Sequence, residues 1–313
     1  MIGFITKRLL SGALLLLVIS SLAYLLMFSF TNNIAIHILG DAATQEQIVA
    51  KQQELGLDQP VISRYLAWLS NALHGDLGIS WLSSEPITDS LTSRLPVTLT
   101  LAGITILISA VLATTLGTIA AVKGGWVDRL VQIIGIVGFA VPNFVVAIFL
   151  VALLAINLAL LPATGWVPIE EDPAMWALSL VLPVSALVLG TVASSAQQIR
   201  SAIKSVLERD WVRTLKSRGI PNREILLKHV LRAAAPAGLT VLSLQFVGLL
   251  GGVVIIEQVF ALPGMGYLAV ASTTTGDTPV VMGVVVYSVI LVILVNLIVD
   301  LLNGWLNPKV RVK

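Results

Sequence analysis

The chain has 313 residues, of which 57% are hydrophobic and only 12% charged, with a net charge of +2 and no cysteine. A soluble domain carries roughly 45–50% apolar and about 25% charged residues. The halved charge and a mean hydropathy of +0.94 therefore exclude disorder, a collagenous fibre and an ordinary soluble enzyme. The missing thiols exclude disulfides, thiolate metal sites and cysteine nucleophiles.

This is the composition of a polytopic membrane protein. A bilayer core about 30 Å thick takes about 20 apolar helical residues at ~1.5 Å each. Six runs free of Asp, Glu, Lys and Arg reach that length: 9–30, 97–122, 131–154, 176–196, 237–256 and 280–299. Lipid offers a backbone no partner, so each run is predicted to be a transmembrane helix. The first follows Lys7 and Arg8 and is longer than the ~7–15-residue apolar region of a signal sequence. No small-x-small site closes it, so it reads as an uncleaved anchor (1–30). Pro142 and Pro183 fall inside the third and fourth runs, where a buried helix tolerates a kink.

Six spans put both termini on one side. That side then holds 16 of the 19 Lys and Arg: two at the N-terminus, two at Lys123 and Arg129, nine in 197–236 and three in the tail 306–313. Only Lys51, Arg64 and Arg94 lie opposite, so the rich side is predicted to be cytoplasmic. The basic pI of 9.0 thus reflects topology, and nucleic acid is not an expected partner.

Two polar segments are too long to be simple connections. In 31–96, Thr44 with Gln47 fits a capping box and Gly56 fits a helix stop. After Pro60, the residues Ile62, Leu66, Leu69 and Leu73 form one helical stripe, with Tyr65 and Trp68 beside it. This segment is predicted to be a small helical cap on the outer face, either packed on the bundle or docking an external partner. In 197–236, Leu207, Trp211 and Leu215 share one helical face and Arg209, Arg213 and Lys216 another. Gly219 fits a left-handed cap and Pro221 a restart, giving two short amphipathic helices at an angle. Such a pair is either a basic hairpin on anionic lipid or a knob for a cytoplasmic protein's groove.

Polar groups at the ends of or inside spans are few. Glu257 is a candidate for an outer gate, and Asp300 for a structural partner near the inner surface. Asn143 beside Pro142 is either a path-lining or a helix-packing amide. His37, His74 and His229 lie on both sides of the predicted membrane and cannot form one metal site. No Ser/His/Asp grouping, His-Glu-x-x-His or Gly-x-x-x-x-Gly-Lys-Ser/Thr loop is present, which disfavours a membrane enzyme or an ATP site on this chain. The run centres carry no acid for a proton to ride, which disfavours a carrier driven by an ion gradient.

The stretch Asp210-Trp211-Val212-Arg213-Thr214-Leu215-Lys216-Ser217-Arg218-Gly219, followed by His229-Val230-Leu231-Arg232, resembles the cytoplasmic loop of binding-protein-dependent ABC importer permeases. Of that superfamily's Glu-Ala-Ala, Gly and Ile-x-Leu-Pro letters, this chain keeps only Gly219 and Leu231. Arg213-Thr214 and His229-x-Leu231-Arg232 instead resemble the peptide/nickel branch, with Leu215 in place of that branch's alanine. The same branch is matched by Leu55-Gly56-Leu57-Asp58-Gln59-Pro60, His74-Gly75-Asp76-Leu77-Gly78, Arg94-Leu95-Pro96-Val97-Thr98-Leu99 and Pro142-Asn143-Phe144-Val145. It is matched again by Leu262-Pro263-Gly264-Met265-Gly266, Asp277-Thr278-Pro279 and Asn307-Pro308-Lys309-Val310-Arg311.

The resemblance implies an all-α membrane protein with the six-span type I ABC importer permease fold, its five-span core at 97–305. It implies a bacterial cytoplasmic-membrane subunit that binds no cofactor, with ATP and Mg held by two separate ATP-binding subunits. The other implied partners are a second homologous permease chain, the lipid bilayer and an extracytoplasmic substrate-binding protein docking on 31–96 and 258–279. Trp211, Arg213, Thr214, Leu215, Gly219, His229 and Arg232 would couple to the ATPases, with Trp211 and Leu215 as apolar anchors. Asn143, Glu257, Pro263 and Gly264 are the candidate path or gate residues. Di- or oligopeptides are the expected solute, with nickel or another small solute as the alternative.

Overall fold

A computed structural model of the protein describes residues 2–28 and 34–306. The end of the first run at 29–30 and the Asn307–Arg311 stretch of the tail lie outside the described residues. The chain runs through α1 (Ile2–Phe28), α2 (Ile34–Leu39), α3 (Gln45–Glu54), α4 (Val61–Leu73), α5 (Ile87–Lys123) and α6 (Gly125–Ala140). It continues with α7 (Asn143–Leu150, extended by a π-helical stretch Val151–Asn157), α8 (Pro173–Leu207) and α9 (Asp210–Ser217). Then come α10 (Asn222–Glu224), a π-helical stretch Ile225–Val230, α11 (Leu231–Val259), α12 (Met265–Thr275) and α13 (Thr278–Leu306).

Five of these helical stretches are long and apolar enough to cross a membrane: Thr6–Phe28, Ile87–Lys123, Pro173–Leu207, Asn222–Val259 and Thr278–Leu306. The third predicted span is different. It is not one kinked helix but two, α6 and α7 with its π extension, set at 90° to each other. Pro142 lacks an N–H and disfavours helical geometry at the residue before it. Val141 accordingly has φ −87° and ψ 120°, and the helix restarts after Pro142. Counted together, the pair completes six spans.

The helices outrun their apolar stretches. At ~1.5 Å per residue, the 35-residue α8 is ~50 Å long, well beyond the ~30 Å of a bilayer core. The supposed loop at Lys123–Arg129 is reduced to Gly124, whose φ of 61° turns the chain into α6. The segment 258–279 holds an extra short helix, α12.

Two compact units organise the chain. The first comprises Thr100–Leu262 and the chain from Leu294 onward. There α8 is the central element, packed on α6, α7 and α11. Beyond the apolar run its extension joins Ile199, Ile203 and Val206 to Val212, Ile225, Val230 and Ala234 in a buried core. Asp128 of α6 and Arg200 of α8 form a two-pronged, mostly buried ion pair across that packing.

The second unit comprises Ile2–Leu99 and Pro263–Ile293. Its core brings Leu77, Ile87 and Leu91 against Met265, Val280 and Val284. Gly283 permits the approach, because a Cβ there would lie 2.5 Å from Ile87 Cγ2. Asp277 is the polar counterpart. Its carboxylate accepts from Ser80 Oγ at 2.6 Å and from the backbone N–H groups of Trp81 at 3.2 Å and Leu82 at 3.4 Å. In the 31–96 segment, Thr44 and Gln47 form both bonds of the capping box. Gly56 (φ 67°) ends α3, with its N–H bonded to Gln53 O and that of Leu57 to Gln52 O. The apolar stripe of α4 is not packed on the rest of the chain. Ile62, Leu66 and Leu73 are exposed, and α4 meets α1 through Tyr65 and Trp68 instead.

Candidate functional site

Segment 197–236 folds as two short helices hung on the end of α8. Helix α8 stops at Leu207, and α9 begins only at Asp210. This break resets the helical phase, so Leu207, Trp211 and Leu215 do not form one continuous stripe. The residue that faces the core is Val212, which is fully buried. Leu207 and Leu215 are half-buried against the same core, while Trp211 sits exposed at its edge.

Gly219 ends α9 with φ 79°. Its N–H donates to Lys216 O at 3.0 Å, and that of Ile220 donates to Leu215 O at 3.3 Å, the two bonds of a left-handed helix stop. Pro221 (φ −61°, ψ 141°) then opens α10. The outward surface carries Trp211, Arg213, Thr214, Lys216, His229 and Arg232, all exposed. Arg213 is held loosely, 3.6 Å from Asp210 with both side chains largely in solvent, so its charge remains available. The Thr214 hydroxyl turns back to Asp210 O at 3.1 Å. The element is thus an apolar back pinned by Val212 and a cationic front.

A second candidate lies at the α6–α7 break. A cavity of about 280 Å³ there is lined by Pro142, Asn143, Gly190, Thr191, Ser194 and Gln245, among others. Gln245 Nε2 donates to Ser194 Oγ at 2.7 Å. Asn143 Oδ1 lies 2.4 Å from where a Cβ on Gly190 would be, so the missing side chain at 190 gives the amide its room. None of the lining groups is charged. The site offers hydrogen-bond donors and acceptors in an otherwise apolar region.

The remaining predicted gate residues do not join this cavity. Glu257, near the end of α11, is fully buried, and its backbone C=O accepts from Leu262 N–H at 2.9 Å. Pro263 is exposed and Gly264 buried in the turn before α12, where Met265 N–H donates to Thr98 Oγ1 at 2.9 Å. Among the described residues, no three His, Asp or Glu side chains gather as a metal-binding group.

Comparison with known proteins decides the family. Residues 113–312 match the family described as binding-protein-dependent transport system inner membrane component, and residues 1–102 match that described as its N-terminal part. The chain belongs to this family. Similar proteins include one named as a peptide transport system permease protein in Brucella abortus, 37% identical over 99% of both chains. A second, named as a peptide ABC transporter permease protein in Sinorhizobium fredii, is 32% identical over 98% of this chain and 99% of its own. The glutathione transport system permease protein of Shigella flexneri is 33% identical over 100% of both.

As a binding-protein-dependent transport component, the chain is a multi-pass membrane permease of the type I fold and not an enzyme. Several residues of this permease carry more structural weight than their local sequence signals. Val212 escapes periodicity because the phase reset lies at 208–209. Gly190, Ser194 and Gln245 are separated in sequence and meet Asn143 only through packing of α7, α8 and α11.

Proposed function

We propose that this chain is one permease subunit of an ATP-driven importer, carrying di- or oligopeptides handed over by an extracytoplasmic binding protein. Both termini and segment 197–236 face the cytoplasm in this reading, which the placement of 16 of 19 basic residues supports. Two ATP-binding subunits holding ATP and Mg, and a second homologous permease, complete the machine. Peptide as the solute is supported by relatives named for peptide and glutathione transport.

The observation that carries the coupling role is the anatomy of α9. Val212 fixes the helix to the core that ends α8, so a push on α9 is a push on a transmembrane span. Trp211 and Arg213 face outward, free to seat in a partner's groove. Leu215, half-buried in the chain's own core, serves the attachment more than the seat.

The solute passes the neutral cavity at Asn143, Ser194 and Gln245. Every peptide residue other than proline offers one N–H and one C=O, which uncharged amides and hydroxyls engage whatever the side chain. Pro263 and Gly264 of the turn before α12, and the buried Glu257 near the end of α11, remain the proposed gate residues.

The test is Trp211→Asp combined with Arg213→Glu in the reconstituted transporter. Both side chains are exposed, so membrane insertion is expected to persist while peptide-stimulated ATP turnover and uptake are lost. Normal stimulated turnover in the double variant would refute the coupling role. Peptide uptake by this chain alone under an ion gradient would refute the ATP-driven reading.

A further inference from the structure

We propose that the cavity between the ends of α5 and α8 and the α9–α10 turn binds the phosphate headgroup of an anionic phospholipid of the inner leaflet. The inference rests on the cytoplasmic placement of segment 197–236 proposed above, and it gives a ligand to a part of that segment which the coupling role leaves unused.

The first observation is the cavity itself. Its volume is about 440 Å³. Ordinary small-molecule sites span ~300–1,000 Å³. One wall is polar, formed by Lys216, Asn222 and Arg223, and another is apolar, with Val122, Leu207 and Leu226. The left-handed stop at Gly219 and the restart at Pro221 turn the chain back, so that Lys216 before the turn and Arg223 after it line one space.

The second observation is charge. No acid is among the described residues lining the cavity. Asp210 and Glu224 are engaged elsewhere, 3.6 Å from Arg213 and 2.8 Å from Lys228. Glu208 follows Leu207 but is exposed and does not line the space. Among the described residues, neither Lys216 nor Arg223 joins an ion pair. Two like charges facing one void repel until an anion lies between them. The planar Arg fork, the compact Lys ammonium and the Asn222 amide offer donors suited to phosphate oxygens.

The third observation is position. Val122 closes the charge-free run 97–122, and Lys123 is the first charge after it. Trp126, 74% exposed, follows three residues later and is a residue type of the membrane–water boundary. Basic pockets between transmembrane helices on the cytoplasmic side are where anionic headgroups settle. A soluble phosphate has no use for Val122, Leu207 and Leu226, whereas the glycerol and first methylenes of a lipid do. A protein seated on Trp211 and Arg213 would approach from another direction. At about 100° per residue, those two side chains each stand about 100° round α9 from the buried Val212, and Lys216 only about 40°.

The full chain, purified in detergent, would be mixed with phosphatidylglycerol and with phosphatidylcholine, and the retained lipid read by native mass spectrometry. The wild type is expected to retain phosphatidylglycerol about ten-fold more strongly, the scale of two cations at a membrane surface. Lys216→Gln with Arg223→Gln should abolish that preference. Arg209→Gln with Arg218→Gln removes the same charge from exposed positions outside the cavity and should leave the preference intact. Equal loss in both double variants would mean diffuse attraction to a basic segment and would overturn the proposal, as would a wild type without preference. Displacement of the lipid by millimolar inorganic phosphate would assign the cavity to a soluble anion and overturn the lipid assignment. Release of the lipid when the ATP-binding subunits assemble on the chain would assign it to a protein neighbour, with the same result. Trp211→Asp with Arg213→Glu is expected to keep the lipid while losing stimulated ATP turnover, so the coupling role and the lipid site fail separately.

Discussion

Gly219 separates backbone geometry from side-chain space. Its φ is 79°, and a Cβ built there meets no atom within 4 Å. An alanine would therefore suffer no clash in this chain, only the ~1 kcal/mol that an L-residue loses in the left-handed region. Asparagine tolerates that region and should cost less, whereas β-branched valine should cost more, ~2 kcal/mol. At room temperature these penalties correspond to about 5-fold and about 30-fold more frequent opening of the helix stop. The probes are the amides of Gly219 and Ile220, which donate to Lys216 O and Leu215 O. Hydrogen exchange on the nanodisc-embedded chain should rank the variants wild type, Asn, Ala, Val, from slowest to fastest. Peptide-stimulated ATP turnover of the assembled transporter should fall in the same order. If asparagine proved worse than alanine, side-chain volume would be the controlling quantity. The backbone explanation would then fail, and a neighbour pressing on residue 219 would have to replace it.

Removing one partner of the Asp128–Arg200 pair leaves a buried charge uncompensated. Asp128→Ala is expected to cost about 2–3 kcal/mol and to lower the melting temperature in detergent. Arg200→Ala should cost a similar amount, and the double variant should recover much of the loss. Gly190→Ala would push a methyl into the space of Asn143 Oδ1, forcing that amide to swing away. Peptide uptake should drop with expression and insertion intact; wild-type uptake would remove Asn143 from the path.

What could be read from the sequence is what neighbouring residues decide among themselves. Thr44 and Gln47 reach each other across three residues, Gly56 and Gly219 stop helices through bonds within their own last turns, and Pro221 restarts one. The apolar runs are legible because lipid imposes a length and forbids charge. Four features were not legible. Pro142 permits a kink or a full break, and only the packing of α7 on α8 and α11 goes with the 90° outcome. The two missing helical residues at 208–209 rotate α9 so that Val212, not Trp211, faces inward. The α4 stripe has the spacing of a core face, but periodicity says only that a side is apolar, not whether protein or lipid covers it. The strongest polar links, Asp128–Arg200 and Ser80–Asp277, join residues 72 and 197 positions apart and leave no local trace.

Asp277 has a mechanical consequence. Its one carboxylate ties the turn between the last two helices to the Ser80–Leu82 stretch that leads into α5. Two loops separated by almost the whole permease core are thereby clamped into a single platform. A docking protein that gripped either loop would drag both, so force applied at one point on that surface would arrive at the start of α5 and the start of α13 together.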